Sequence, residues 1–364
     1  MKILVVATQV RVPDTHGGST HVGELVAGLS ERAEVQALAR RGSTAPGFVG
    51  LSHPLGFPPV LKHLFPIPYL PAALKAARAF GPDVIYERGS SYGLGAYLSL
   101  ALRAPMICMV LDEHYSPLSL RRARRIISTN TKLVPAPYRD KAVRVSWGAN
   151  ASHFRPGLDG ARYRERFGFA PTDIVLGYAG SFKSWHGLET LVDALAAASD
   201  LPLRCLMIGD GPLRAEIEAR ARAAGVLARI AFAGPTPYAE VPSMLSAADI
   251  CLALVDASRH AGTRDGAFAM DPLKVFESLA LGKPVICTRV PNVEELFTDG
   301  EHLWMVAPQS APDIVRAVRD IARDPGRTAH ITAAGRERVL ARHTWQSHVD
   351  HLMSLFREIQ EQAR

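Results

Sequence analysis

Cysteine is scarce in this chain, and its few positions exclude a good deal. Cys108, Cys205, Cys251 and Cys287 each lie inside an apolar strand-like run, with no CxxC pair and no histidines clustered around them. That pattern argues against a disulfide framework or a zinc centre and predicts buried, reduced thiols in a cytosolic protein. Long hydrophobic runs are lacking too. The longest, "GLGAYLSLALRAPMICMVL", is split by Arg103 and Pro105 into halves too short to span a bilayer. No G-x-G-x-x-G follows the first strand-like run, which weighs against a dinucleotide-dependent oxidoreductase. No D-x-D carboxylate pair offers itself to a catalytic metal. A zinc spacing, a recognition-helix signature and an aromatic-interleaved basic stretch are all missing, so nucleic acid is not an expected partner. The opening "MKILVVATQV" has one lysine and no small-residue cleavage site, so it reads as a first strand rather than a signal peptide.

What is present is a chain of 364 residues, 48% apolar, without a low-complexity tract, long enough for two domains with separate cores. Strand-like runs alternate with helical patterns from "KILVVAT" through "DVIYER" to "MICMVL". A second such series begins after "SWGANASHFRPG" with "DIVLGYAG" and ends at "PVICT". Alternation of this kind predicts parallel βαβ units and an α/β fold of two doubly wound sheets. The expected division is 1–155, 156–342 and an amphipathic C-terminal helix, 343–364, packing across both domains. The net charge of +7 is uneven. Residues 1–150 carry 18 Lys+Arg against 9 Asp+Glu, and the remainder 24 against 26. The dense run "SLRRARRIIS" fits either a solvated helix face or a contact with an anionic membrane or acidic acceptor.

In open α/β sheets ligands bind beyond the carboxyl ends of the strands, so the loops there are the informative ones. The first, "TQVRVPDTHGGSTH", carries Gly17 and Gly18 just before a helix, where bare amides can approach a phosphate or simply make a tight turn. In "DPLKVFESLALGKPVICT", Asp271 and Pro272 read as a cap and first helical residue. Lys274 then sits in the first turn, which suits a cation only if an anion lies nearby. Glu277 falls with Leu273, Phe276 and Ala280 on what reads as the apolar stripe. A carboxylate there can accept two hydrogen bonds from vicinal hydroxyls, as on a ribose, or can be a helix-edge residue.

The stretch "DPLKVFESLALGKPVICTRVPNVEELFTDGEHLWMVAP" resembles the donor-binding region of GT-B-fold glycosyltransferases of family 4. So do "GGSTHVGELVAGLSERAEV", "YAGSFKSWHGLETLVDALA", "MIGDGPLR" and "FAGPTPYAEVPSMLSAADI", in the family's order. The resemblance implies two Rossmann-like domains facing a central cleft, and a retaining, metal-independent hexosyl transfer without a cofactor. The donor implied is a nucleoside diphosphate sugar, a UDP-sugar ahead of a GDP-sugar, and the acceptor a small molecule or glycan. By the same resemblance Glu277 holds the donor ribose. Gly17, Gly18, Ser181, Lys183, His186 and the amides of Leu273, Lys274 and Val275 face the diphosphate. His114, Ala269, Asp271 and Pro272 lie at the transferred sugar, and His114, Lys183 and Glu277 carry the catalysis. His21 and Arg88 are acceptor candidates. Three departures mark a subgroup: Ala269 where a glutamate is usual, "GSFKSWHG" with Ser181 and His186 for Arg and Lys, and Asn150 for a hinge aspartate. A catalytically inactive nucleotide-sugar-binding partner subunit is the alternative.

Overall fold

The computed structural model describes residues 1–14, 16–52, 66–112, 115–259 and 271–363. It divides into two compact units: Met1–Trp147 with Trp345–Arg364, and Gly148–Thr344. The first is built on a seven-stranded sheet of β1 (Lys2–Ala7), β2 (Glu34–Arg40), β3 (Phe48–Leu51), β4 (Val84–Arg88), β5 (Met106–Met109), β6 (Arg125–Ser128) and β7 (Ala142–Arg144). Its spatial order is β3-β2-β1-β4-β5-β6-β7, with parallel pairing throughout. The second unit holds β8 (Ile174–Ala179), β9 (Leu203–Ile208), β10 (Ile230–Gly234), β11 (Ile250–Ala253), β12 (Val285–Thr288) and β13 (Trp304–Val306). Their order is β10-β9-β8-β11-β12-β13, again parallel. Both are doubly wound, Rossmann-like sheets, as the alternation of elements predicts.

The strands are buried because helices cover both faces of a parallel sheet, which is why they read as unbroken apolar runs. In β1 every residue from Ile3 to Ala7 is inaccessible to solvent. The order reverses between β1 and β4 in the first sheet and between β8 and β11 in the second, and each reversal opens a crevice at the carboxyl edge. All four cysteines are free and buried.

The helix Trp345–Glu361 completes the first unit. Its Val349 seats against the helix Gly17–Ser30, where a methyl group on Gly28 would come within 2.8 Å of the valine. Phe356 meets Tyr86 edge-on at 6.4 Å, and Asp350 pairs with Arg32 at 2.9 Å. In the second unit the outgoing and returning chain lie side by side: Ala149 N donates to His343 O at 2.8 Å and Ala149 bridges Thr344. A Cβ on Gly148 would sit 2.3 Å from the Thr344 carbonyl carbon, so only glycine fits this approach.

Candidate functional site

The site in the second unit lies at the carboxyl edge beside the β8/β11 crevice. The turn after β8 runs through Gly180 at φ 151°, a conformation few side chains tolerate. A Cβ there would lie 2.5 Å from Lys274 Cε, 3.0 Å from its Nζ and 3.1 Å from the Tyr178 hydroxyl, so the lysine lies directly over the turn. Tyr178, fully buried, donates to Ser181 O at 2.7 Å, and Phe182 exchanges backbone bonds with Asp210 and Leu213 at 2.9 and 3.1 Å. The turn is therefore pinned from below by a tyrosine and from the side by the loop after β9. His186 is buried, with Nε2 3.5 Å from Ser181 Oγ, and Lys183 is exposed with its ammonium 4.8 Å from the Trp185 ring centre.

The helix carrying Lys274 and Glu277 is Leu273–Ala280, with Pro272 at the cap position and no side-chain cap. It begins one residue later than the sequence reading, and Asp271, buried, accepts from Leu273 N through its carbonyl at 3.0 Å rather than capping with its side chain. The amide of Val275 donates to Pro272 O at 2.9 Å. Two of the three amides expected to face a diphosphate are thus bonded within the turn. The buried stripe also differs from the expected one. It runs through Val275, Phe276, Ser278, Leu279 and Ala280, leaving Leu273, Lys274 and Glu277 half-buried at the crevice side. Phe276 stacks on His343 at 4.9 Å, and that aromatic contact sets the rotation of the helix. Glu277 therefore does not interrupt the stripe but flanks it.

Burial lowers the Lys274 pKa to about 8; Glu277 pulls it upward and Lys183 downward. Among the described residues, Lys274 and Lys183 are the cations and Glu277 the carboxylate that act on one another here. Tyr238, a residue the sequence reading passed over, donates its hydroxyl to Glu277 Oε1 at 3.1 Å. No local pattern in "GPTPYAE" points to a residue 39 positions away, so only the fold reveals this contact.

In the first unit, Gly18 and Arg88 come together at the β1/β4 crevice: a Cβ on Gly18 would lie 3.5 Å from Arg88 Nη2. The helix N-terminus there is already capped, since His16 Nδ1 accepts from Ser19 N at 3.2 Å. His21 is wholly buried between Trp147, Trp345 and His348, with ring centres 5.0, 5.5 and 6.0 Å away. Burial, then Arg88 and His348, hold its pKa well below the ordinary histidine value. A neutral ring with no exposed surface packs the interior; this corrects its place among the acceptor candidates. Glu87 turns inward, accepting from Gly93 N at 2.7 Å and Ser119 Oγ at 2.6 Å at the start of the helix Leu94–Leu102. His114 and Ala269 lie outside the described residues. Among the described residues no cluster of His, Cys, Asp and Glu has the makings of a metal site.

Two Rossmann-like parallel sheets, the second presenting a lysine and a carboxylate at its switch point, define the class: a two-domain α/β protein of the GT-B fold. Within that class, residues 159–338, most of the second unit, match the family model of glycosyl transferases group 1. Alpha-D-kanosaminyltransferase of Streptomyces kanamyceticus is 26% identical over 55% of this chain and 49% of its own length. The GDP-mannose-dependent alpha-(1-6)-phosphatidylinositol dimannoside mannosyltransferase of Mycobacterium tuberculosis is 29% identical over 61% and 51%. The chain thus spans about half the length of the curated relatives it matches. Among solved structures, Anabaena HepE in complex with UDP and glucose superposes with a TM-score of 0.80 at 17% identity, covering 98% of this chain and 100% of that one.

Proposed function

We propose that the chain is a retaining glycosyltransferase that moves a hexose from a nucleoside diphosphate sugar, a UDP-sugar ahead of a GDP-sugar, to a small-molecule or glycan acceptor. The observation that carries this reading is the placement of Lys274 and Glu277 on one flank of a single helix at the β8/β11 switch point. The first faces the Gly180–Ser181 turn and the second offers a carboxylate one turn further on. In this reading the diphosphate lies against Lys274, the Lys274 amide, Ser181, Lys183 and His186, and the ribose hydroxyls donate to Glu277. Cations and oriented donors then stabilise the charge that develops on the leaving diphosphate, which requires neither a protein nucleophile nor a metal. In this reading the first unit offers Arg88, beside Gly18 at the β1/β4 crevice, to an acidic group of the acceptor.

The test is the thermal midpoint of wild type and Glu277→Ala with UDP, GDP, ADP and their sugar conjugates. A ligand at 100 times its Kd adds about 2.7 kcal/mol, a shift of about 2–4 °C or more for a chain of this size. We expect one base to shift the wild type and not the variant, and sugar release from the same conjugate by the isolated chain. No shift with any nucleotide would overturn the reading, while binding without turnover would favour the inactive partner subunit.

We further propose an anionic membrane surface as a partner of the first unit. Ile67, Tyr97 and Leu100 are the exposed large hydrophobics among the described residues, at 54%, 36% and 52% exposure. They stand on the neighbouring helices Pro66–Phe80 and Leu94–Leu102, which with Pro117–Arg122 contain no Asp or Glu and carry exposed Lys75, Arg78 and Arg121, with exposed Arg103 and Arg124 just beyond their ends.

A further inference from the structure

We infer that Gln309 is a positioning residue for the diphosphate-facing turn after β8, acting through Asp256; the inference rests on the donor reading above. That turn, 181–186, carries Ser181, Lys183 and His186. Gln309 lies in the loop after β13, three strands away along the same carboxyl edge.

Hydrogen bonds cross that distance strand by strand. Gln309 Nε2 donates to Asp256 Oδ2 at 2.7 Å. Asp256, buried in the turn after β11, donates from its backbone N to Trp185 O at 2.8 Å. Beside it Val255 N donates at 3.0 Å to the Oγ1 of Thr288, the last residue of β12. The other carboxylate oxygen, Asp256 Oδ1, accepts from Ser258 N at 3.1 Å and from Ser258 Oγ at 2.6 Å. Those two bonds shape the turn Ala257–Arg259, from which Arg259 donates to Ser184 O at 3.4 Å and pairs with Glu189 in the first turn of the helix Leu188–Ala197. The diphosphate-facing turn is thus tied to Asp256 twice, directly at Trp185 O and through Arg259 at Ser184 O.

The backbone at Gln309 gives its side chain weight. Its φ is 56°, and among the described residues of the second unit it is the one non-glycine in the left-handed region. Glycine holds that conformation at less cost, so the loop alone gives no reason for a glutamine. A side chain kept on a strained backbone by a bond to a buried carboxylate points to a task. An aspartate bonded through one oxygen can still swing about χ2, whereas a donor on each oxygen fixes its plane. Gln309 supplies the second donor, and the plane it fixes sets Ser258, Arg259 and the turn they hold. The expected signature is selectivity: losing the Gln309 amide weakens ligands whose phosphates lie against the turn and leaves the bare nucleoside nearly unchanged.

The experiment measures Kd by calorimetry for the diphosphate that binds wild type, UDP or GDP, and by displacement for the matching nucleoside. The proteins are wild type, Gln309→Gly, Gln309→Glu and the swapped pair Asp256→Asn with Gln309→Glu. We expect Gln309→Gly to weaken the diphosphate about fivefold and the nucleoside by less than about twofold, the size of one hydrogen bond. Gln309→Glu sets two carboxylates against each other and weakens the diphosphate at least as much. The swapped pair has the wild-type net charge, keeps an oxygen for Ser258 and turns an amide toward the new carboxylate. It should bring the diphosphate Kd back to within about twofold of wild type. Equal weakening of diphosphate and nucleoside by Gln309→Gly marks a merely structural role and overturns the inference, as does no change in either. A swapped pair as weak as Gln309→Glu alone also overturns it, because Gln309 then does not act through Asp256. If wild type binds the diphosphate no more tightly than the nucleoside, the donor reading itself fails and the Gln309 role falls with it. Thermal midpoints within about 4 °C of wild type show that the variants are folded.

Discussion

Lys274 shows how one side chain can be tuned by its seat. Its ammonium is drawn out of water over the Gly180 turn, and burial lowers its pKa to about 8 even with Glu277 close by. The charged form is the one that would bind a diphosphate. Affinity should therefore be full below about pH 8 and decline as pH rises through it. Lys274→Met should weaken nucleoside diphosphate binding by about tenfold to a hundredfold, the worth of a charge-assisted hydrogen bond, and remove that pH dependence in calorimetric titrations. Glu87 is the opposite case. Burial raises its pKa from 4.5 to about 7, against bonds from Ser119 and from the amides of Gly93, Gly95 and Ala96. The folded state then holds a proton that the unfolded state releases between about 4.5 and 7. Stability should fall as pH rises through that window, by an amount on the order of 3 kcal/mol. Glu87→Gln, which cannot ionise, should flatten the profile of unfolding midpoint against pH.

At the scale of elements, some close approaches of the backbone are open only to small residues. Gly148 lets the chain leaving the first unit lie against Thr344, with the carbonyl carbon 2.3 Å from where a Cβ would be. Gly148→Ala should cost about 2 kcal/mol or more by overpacking, seen as a lower urea midpoint at an unchanged slope. The helix Leu273–Ala280 teaches a related lesson. Its apolar periodicity is legible in the sequence, yet two assignments of the buried stripe are nearly degenerate over eight residues, and the stacking of Phe276 on His343 chooses between them. An isolated pattern cannot settle the rotation of a short helix, because the deciding partner lies 67 positions away, the difference between 343 and 276.

For the whole molecule, the proposed membrane partner can be tested directly. Vesicles rich in phosphatidylglycerol should pellet the protein at low salt, with binding lost at high salt and on neutral phosphatidylcholine, since each basic side chain near such a surface contributes about 1 kcal/mol that salt screens. Replacing Tyr97 and Leu100 by glutamate should abolish pelleting and leave donor binding unchanged. Equal binding of wild type and variant would remove this face from consideration.

The order and type of the elements were determined by the sequence alone, because alternating apolar runs and helical stripes are written over short distances and a parallel sheet demands both. The positions of Ser181 and His186 in the turn after β8 were legible for the same reason, because loops begin where strands stop. What only the tertiary structure decided was which side chains meet. It buried His21 among two tryptophans and a histidine, turned Glu87 onto a helix start and brought the Tyr238 hydroxyl to Glu277. Each of these depends on contacts between segments far apart in the chain, and pairings of that kind are set by packing, which leaves no periodic trace in the residues that make them.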